Sequence, residues 1–291
     1  METISKIMLG TAQFGLDYGI NNTSSKPDRE AVNEMLVKAY DCGVRSLDTA
    51  EVYGNAHEVI GEFHKQYPSR VFNVITKLPL NIDGSIDAKI EKYLSELNVP
   101  QLEGLLFHSY QTYKESIGSM ELIDTYKRSG KVKYLGVSVY TNEQAEDVME
   151  DNYIDIIQLP FNLFDNSNLR GEVIKKAKNK GKIIHTRSTF LQGLFFTSLQ
   201  NKNKISLPLA DELNYIHKLS KLLDISLAKI SLNYCLQEPH IDNVLIGVDN
   251  LDQLNQNLES AGYSLPGEVI DKINAIYIKN IELLNASLWH P

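Results

Sequence analysis

The sequence predicts an α/β protein in which eight parallel strands close into a single (β/α)₈ TIM barrel. Short apolar runs rich in β-branched residues recur eight times in the 291 residues, and segments with helical periodicity separate them. No GxGxxG follows the first run, where a doubly wound sheet, the structural rival, would carry its phosphate-binding turn. No linker or low-complexity tract divides the chain. We therefore predict one domain over residues 1–291.

The eight predicted strands alternate with helices along the whole chain. Strands joined in this way form right-handed parallel crossovers, and eight such units can close a barrel. The strand sequences, in order, are KIMLGTA (6–12), VRSLDT (44–49), VFNVITK (71–77), LEGLLFH (102–108), YLGVSV (134–139), IDIIQLP (154–160), KIIHTRS (182–188) and DNVLIGV (242–248).

Helical periodicity is strongest in REAVNEMLVKAYDCG (29–43), SIDAKIEKYLSELN (85–98) and SNLRGEVIKKAKNKG (167–181), and two of these end in Gly, a helix stop signal. Two extra C-terminal helices are predicted at 250–262 and 266–287. The tail LWHP carries the single Trp. This tail can either fold over the barrel mouth or pack on the outer surface.

Composition excludes several classes of function. Hydrophobic residues make up 43% of the chain and charged residues 23%, which is typical of a globular core. A net charge of −8 disfavours binding to nucleic acid or to an anionic membrane. Cys42 and Cys235 are too few for a disulfide framework or a cysteine metal site, and we predict no metal. The start METISKIMLG lacks a long apolar run, so we expect a cytoplasmic protein.

Four polar residues follow the predicted second, third and fourth strands: Asp48 and Tyr53, then Lys77, then His108. The carboxyl ends of barrel strands converge on one pocket, so we expect these side chains to meet. Taken singly, a Tyr usually packs, a Lys is usually solvated and a His is usually structural. The four residues together are therefore a stronger indication of a catalytic site than any one of them alone.

These residue types suit the reduction of a carbonyl by hydride. The developing alkoxide needs a proton, and a phenol such as Tyr53 is a poor donor near neutral pH unless a cation such as Lys77 stabilises its ionised form. A buried ammonium needs a counter-charge, which Asp48 can provide. His108 can donate a hydrogen bond to the substrate oxygen and orient it.

The same residues resemble the aldo-keto reductase family. DTAEVYG (48–54) followed by HEVIG (57–61) is similar to the Asp and Tyr motif of the family, and ITK and LLFH are similar to its other two catalytic strands. The resemblance covers nearly the whole chain in family order. It implies that Tyr53 is the general acid, that Lys77 and Asp48 tune it, and that His108 helps to bind the carbonyl.

The resemblance also implies a nicotinamide site. GKVKYLGVSVY and IIQLPFN are similar to the fifth and sixth strands of the family, which makes Ser138 and Gln158 the candidates that hold the nicotinamide amide. Val139 replaces the usual Asn. In IHTRSTFLQGLF, Arg187 stands where many members place an aromatic residue against the nicotinamide ring.

The segment LIGVDNLDQLNQNL resembles the adenosine-phosphate motif that follows the eighth strand. Gly247, Asn250, Gln253 and Asn257 fall on family positions, but Asp249 stands about where a basic residue would meet the 2′-phosphate. A carboxylate repels that phosphate and can accept a hydrogen bond from a free 2′-hydroxyl. NADP(H) is the cofactor that the family implies, and NAD(H) is a serious alternative here.

Other functions and the substrate stay open at this stage. Lys77 could instead form a Schiff base in a barrel lyase or aldolase. A non-catalytic nucleotide-binding regulatory subunit is the second alternative, although the four polar residues are intact. Aldehydes, ketones and sugar-like carbonyls are all possible substrates. Candidate pocket walls are the aromatic residues Phe14, Tyr18, Tyr110, Phe161, Phe164 and Trp289.

Overall fold

Eight parallel strands form a closed barrel in chain order, which confirms the predicted fold. The structure is a computed structural model that describes residues 2–17, 19, 26–82, 84–198 and 204–289. The strands are β1 Ile7–Gly10, β2 Ser46–Asp48, β3 Asn73–Leu78, β4 Leu102–Phe107, β5 Val132–Ser138, β6 Ile156–Pro160, β7 Ile183–Arg187 and β8 Asn243–Ile246.

Helices alternate with these strands and surround the barrel. None of them, within the described ranges, combines the length and the apolar character needed to cross a membrane. The helices are α1 Glu2–Ser5, α2 Ala12–Gly15, α3 Arg29–Asp41, α4 Ala56–Gln66, α5 Ile86–Leu97, α6 Tyr110–Glu115, α7 Met120–Arg128, α8 Asn142–Val148, α9 Ser167–Asn179, α10 Ala210–Leu223, α11 Leu227–Gln237, α12 Leu251–Ser260 and α13 Gly267–Asn274.

The three strongly periodic segments fold as predicted, into α3, α5 and α9. Their first turns are fixed by side-chain caps, since Asp28, Ser85 and Asn166 each accept a hydrogen bond from a backbone N–H of the turn that follows. Gly43 and Gly181 follow α3 and α9 with φ values of 103° and 79°. These left-handed positions favour glycine, which explains why the helices stop there.

The C-terminal prediction is only partly correct. Helix α12 forms as expected, but the second predicted helix, 266–287, is helical only over α13. Beyond it lie two short 3₁₀ turns, Ile281–Leu284 and Ala286–Leu288. Each turn is preceded by an Asn whose side chain accepts a backbone hydrogen bond, and such local bonds compete with a continuous helix.

The barrel interior changes from apolar to polar along its axis. Met8, Ile75, Leu106 and Ile156 form a small buried cluster that is separate from the main core between the barrel and its helices. Because strand side chains alternate between the two faces, this cluster fills the inside of the barrel. The polar side chains of the site lie in the same interior, toward the carboxyl ends of the strands.

Two glycines let the chain pass closely beside the β2–α4 loop. A Cβ atom on Gly15 would overlap the carbonyl oxygen of Tyr53, and one on Gly54 would lie 2.5 Å from the carbonyl oxygen of Gly15. Gly54 also has a φ of 59°. The backbone of Tyr53 is therefore held by a contact that only glycine at residue 15 permits.

We predict that Gly15→Ala lowers the free energy of unfolding by about 1–3 kcal/mol, because the new methyl group forces backbone atoms apart. Chemical denaturation measures the change. Gly118→Ala is the matched control, since a Cβ atom at Gly118 meets no heavy atom within 4 Å. Equal stability of the two variants would contradict the proposed close contact.

Candidate active site

The carboxyl ends of the strands open into a cavity of about 660 Å³. Asp48, Tyr53, Lys77 and His108 all line it, so the structure brings the four predicted residues together. Asp48 ends β2 and pairs in register with Gly10 of β1, whereas Lys77 lies near the end of β3. Parallel register places these strand ends on one side of the barrel.

Asp48 and Lys77 form a buried ion pair. The Nζ atom of Lys77 donates to Oδ1 of Asp48 and, over 3.0 Å, to the carbonyl oxygen of Thr49. Gln158, from the opposite side of the barrel, donates to Oδ2 of Asp48 over 2.7 Å. Lys77 is 2% exposed and Asp48 3%, so each charge depends on the other for compensation.

Tyr53 lies in the loop between β2 and α4, and this loop is anchored on α5. Glu51 accepts hydrogen bonds from Lys89 over 2.7 Å and from the Tyr93 hydroxyl over 2.6 Å. The Tyr53 ring packs edge-on to the His108 ring, with 5.8 Å between centroids. The ammonium of Lys77 lies 5.4 Å from the Tyr53 centroid.

The pKa of Tyr53 is raised, although Lys77 was expected to stabilise its ionised form. Burial is the largest cause and the negative charge of Asp48 the second, because both disfavour the phenolate. The Arg187 guanidinium acts in the other direction and lowers this pKa. The phenol is protonated at neutral pH, as an ordinary tyrosine is, and the raised pKa makes it a weaker acid than an ordinary tyrosine.

His108 follows β4, and its backbone N–H donates to the carbonyl oxygen of Leu78 over 3.1 Å. Burial lowers the pKa of His108 to about 3, and the positive charges of Lys77 and Arg187 act in the same direction. The imidazole is therefore neutral near pH 7. A neutral ring carries one N–H, so His108 can donate one hydrogen bond toward the cavity.

The nicotinamide candidates Ser138, Gln158 and Arg187 also line the cavity. Arg187, at the end of β7, donates to Oγ of Ser138 over 3.3 Å and to the carbonyl oxygen of Val139 over 3.1 Å. Its Cζ atom lies 4.0 Å from the centroid of the Tyr140 ring. The guanidinium is thus held against the end of β5.

The predicted adenosine segment divides into lining and capping residues. Gly247, Asp249, Gln253 and Asn257 line the cavity. Asn250 is not among the described lining residues, and its side chain caps α12 by accepting a hydrogen bond from the backbone of Gln253. The side chain of Gln253 is itself bonded to Asp249, accepting from its backbone N–H over 2.8 Å and donating to its carboxylate over 3.2 Å.

Most of the aromatic walls predicted from the sequence do not line the cavity. Phe14, Phe161 and Phe164 are fully buried in the main core, where Phe161 stacks on Tyr234 with 5.3 Å between centroids. Tyr110 is not among the described lining residues, and its hydroxyl donates to Asp147 of α8 over 2.9 Å. Tyr18, another of the six predicted wall residues, lies outside the described residues. The sequence could not assign these rings to a face.

The C-terminal segment contributes to the cavity, but not through Trp289. Ala286 and Ser287 line it, whereas the Trp289 indole packs against the main core and donates to the carbonyl oxygen of Leu283 over 3.0 Å. Among the described residues, Trp289 is not a lining residue. The tail thus reaches the cavity with small side chains instead of its large ring.

The segment after β7 is the main part of the site that the sequence analysis missed. Ser188, Gln192 and Gly193 have φ values of 63°, 52° and 86°, so the chain makes an unusual turn there. Gly193 is the one local signal of this turn. Lining residues not predicted are Gly10, Thr11, Ala12, Gln13, Gly19, Tyr140, Ser188, Thr189, Phe190, Gln192, Gly193, Phe196, Ala228, Leu245, Gln256, Ala286 and Ser287.

Comparison with known proteins gives one family over nearly the whole chain. The family model described as "Aldo/keto reductase family" matches residues 6–278. A relative from Escherichia coli, described as an NADH-specific methylglyoxal reductase, is 22% identical, and the match covers 93% of this chain and 96% of the relative.

Two solved structures share the fold. An aldo-keto reductase from Bacillus halodurans, in its holo form, superposes with a TM-score of 0.76 at 19% identity, over 94% of each chain. An aldo/keto reductase from Klebsiella pneumoniae in complex with NADP and acetate superposes with a TM-score of 0.69 at 18% identity, over 94% of this chain and 91% of that one. The similar proteins thus include both an NADH-specific and an NADP-bound one.

We predict that His185, a buried residue of β7, makes stability depend on pH. Burial lowers its pKa from 6.5 to about 4. Between these values the unfolded chain binds a proton that the folded chain does not, so the free energy of unfolding falls as the pH falls from 6.5 toward 4. Between pH 7 and pH 5 the loss due to this group is about 1–2 kcal/mol.

Denaturant unfolding of the wild type and of His185→Gln at pH 7 and pH 5 measures this loss. The variant has no titrating group at the position, so its stability should fall less than that of the wild type. Equal losses in both proteins would show that His185 does not couple protonation to folding.

Proposed function

The chain belongs to the aldo/keto reductase family, and we propose that it reduces the carbonyl group of a small aldehyde, ketone or sugar-like substrate with NAD(P)H. The observation that carries this proposal is the meeting of Tyr53 and His108 beside the buried Asp48–Lys77 pair in one cavity. A reduced nicotinamide, when bound, supplies the hydride to the carbonyl carbon.

In the proposed reaction, Tyr53 gives its hydroxyl proton to the carbonyl oxygen as the alcohol forms. In the free protein the phenol holds its proton, because burial and Asp48 raise its pKa, and the alkoxide that develops on the substrate is the stronger base that takes this proton. His108, neutral at working pH, donates a hydrogen bond that orients the same oxygen. Lys77 lies near the Tyr53 ring and stabilises the negative charge that the ring acquires, while Asp48 keeps Lys77 charged.

The residues of the cavity fit a nicotinamide cofactor. Oε1 of Gln158 is buried and has no hydrogen-bond partner among the described residues, so it can accept from the N–H of a carboxamide. The Ser138 hydroxyl accepts a hydrogen bond from Arg187 and can still donate one to the carboxamide oxygen. Ser138 and Gln158 are paired in register on β5 and β6, so both sit at one level of the barrel.

The preference between NADPH and NADH depends on the part of the cavity that the predicted adenosine segment lines. Among the described lining residues, the only Lys and Arg are Lys77 and Arg187, at the catalytic end. The lining residues of the predicted adenosine segment are neutral except for Asp249. Among these residues a 2′-phosphate would meet one carboxylate and no cation, so we propose that NADH is used at least as well as NADPH.

The geometry weakens the two rival functions. Schiff-base formation needs an unprotonated, accessible amine, whereas the Lys77 ammonium is buried and donates to Asp48 and Thr49. A non-catalytic regulatory subunit would not need the four polar residues in one cavity. Turnover with a panel of aldehydes, ketones and sugars, followed by loss of reduced-cofactor absorbance, separates the reductase from the regulatory subunit.

We predict that Tyr53→Phe lowers turnover by roughly 10²–10⁴ fold, because it removes the donated proton and keeps the ring. The dissociation constant for reduced cofactor should stay nearly unchanged, as measured by fluorescence titration. Steady-state kinetics measure the loss of turnover. A variant that kept more than about a tenth of wild-type turnover would exclude Tyr53 as the general acid.

We predict that Asp249→Arg raises the catalytic efficiency with NADPH relative to NADH by about tenfold, which corresponds to about 1.4 kcal/mol. Most of the gain should appear in the Michaelis constant for NADPH, since the guanidinium would attract the 2′-phosphate. Michaelis constants for both cofactors are compared in both proteins at matched low salt. An unchanged ratio would place Asp249 away from the adenosine ribose.

A further inference from the structure

Arg187 is a cation of the cavity that forms no salt bridge with any described residue. Lys77 is paired with Asp48, whereas the hydrogen bonds of the Arg187 guanidinium to described residues go to the neutral groups of Ser138, Ser188 and Val139. Its positive charge is therefore available to whatever occupies the cavity.

The carboxylates that interact with this charge are already bonded to other groups. Burial raises the pKa of Asp165, and the charges of Arg170 and Arg187 oppose this rise, but the carboxylate is fully buried and is paired with Arg170. The other buried carboxylate near the cavity, Asp48, is paired with Lys77. Neither carboxylate is left to neutralise Arg187 by itself.

The guanidinium is held in place and does not reach into solvent as a flexible chain. Its Nε atom donates to Ser138, one terminal nitrogen donates to the carbonyl oxygen of Val139, and Cζ lies 4.0 Å from the Tyr140 centroid. Tyr140 is itself fixed, because its carbonyl oxygen accepts a hydrogen bond from Arg170 over 2.9 Å.

The position of this charge relative to the reaction follows from two sets of contacts. Arg187 bonds directly to Ser138, one of the two residues suited to hold the carboxamide. Its charge also acts on the proton-donating side of the cavity, where it opposes the rise in the pKa of Tyr53 and adds to the lowering of the pKa of His108 that burial and Lys77 cause. A nicotinamide held by Ser138 therefore has the guanidinium as a neighbour.

We propose that Arg187 makes the cavity discriminate between the two oxidation states of the cofactor, binding the reduced form in preference to the oxidised form. This inference rests on the proposed function. The oxidised nicotinamide ring carries a positive charge and the reduced ring is neutral, so only the oxidised ring is repelled by a fixed guanidinium. The pyrophosphate is the same in both forms, so its attraction to Arg187 cancels in the ratio of the two dissociation constants.

This discrimination changes which form of the cofactor occupies the cavity. The enzyme would collect reduced cofactor and release the oxidised product readily. For a two-electron couple, a tenfold difference between the dissociation constants makes the reduction potential of the bound cofactor about 30 mV more positive than that of the free cofactor. The bound reduced cofactor is then a weaker hydride donor, so Arg187 would assist exchange of oxidised for reduced cofactor and not the hydride step, and this role is separate from the proton transfer by Tyr53.

The test measures dissociation constants for the reduced and oxidised forms of both NADH and NADPH by calorimetry, without substrate. For Arg187→Met and Arg187→Gln, we expect the ratio of the oxidised to the reduced constant to fall about tenfold from the wild-type value, equivalent to about 1.4 kcal/mol. The Gln variant keeps an N–H donor for Ser138. Arg187→Lys keeps the charge, and its ratio should stay within about threefold of the wild type.

Arg128→Gln is the matched control, because Arg128 lies on α7 with 71% of its side chain exposed and should leave the ratio unchanged. If the ratio is the same in the wild type and in both neutral variants while both forms still bind, the role of Arg187 is overturned and the proposed reductase stands. A wild type that binds neither form overturns both proposals.

Discussion

The buried ion pair between Asp48 and Lys77 holds the candidate active site together. Moving two charges into the interior of a barrel is costly, and only close pairing with further hydrogen bonds offsets the cost. Here the carboxylate accepts from Lys77 on one oxygen and from Gln158 on the other, while the ammonium also donates to Thr49. Removal of either partner would leave a buried charge without compensation.

This pair also joins the two halves of the site. Asp48 on β2 and Gln158 on β6 lie on opposite sides of the barrel, and their hydrogen bond links the proton-donating residues to the nicotinamide candidates. Because the amide nitrogen of Gln158 donates to Asp48, its oxygen is the atom left for a ligand. The proposed acid and the proposed cofactor site therefore share one hydrogen-bond network.

Charge in the cavity is distributed unevenly along its length. Near the strand ends, Lys77 is paired with Asp48, and Arg187 forms no salt bridge with a described residue. Both lie beside a protonated Tyr53 and a neutral His108. In the predicted adenosine segment lies Asp249, which is bonded to Gln253. On the proposed function, the cation opposes the positive ring of an oxidised nicotinamide and the carboxylate opposes a 2′-phosphate, so both charges favour a cofactor with a neutral ring and a free 2′-hydroxyl.

The sequence by itself predicted the barrel and the four polar residues at its mouth, because the signal for each lies in a short stretch of sequence. Every strand is an apolar run, and every one of the four polar residues lies at or soon after the end of such a run. The sequence could not predict which aromatic rings line the cavity, since a ring in a loop can face the core or the barrel mouth with the same local sequence. Phe161 and Phe164 pack in the core, whereas Phe190 and Phe196 line the cavity. The resemblance placed Arg187 at the nicotinamide site, but its partners needed the folded chain, because its contact with Ser138 joins residues 49 positions apart. The raised pKa of Tyr53 likewise needed the folded chain, since it depends on burial and on the charge of Asp48. Local periodicity indicates whether a side chain is buried. The pKa values of the site depend in addition on charged residues that are distant in sequence and that folding brings close together.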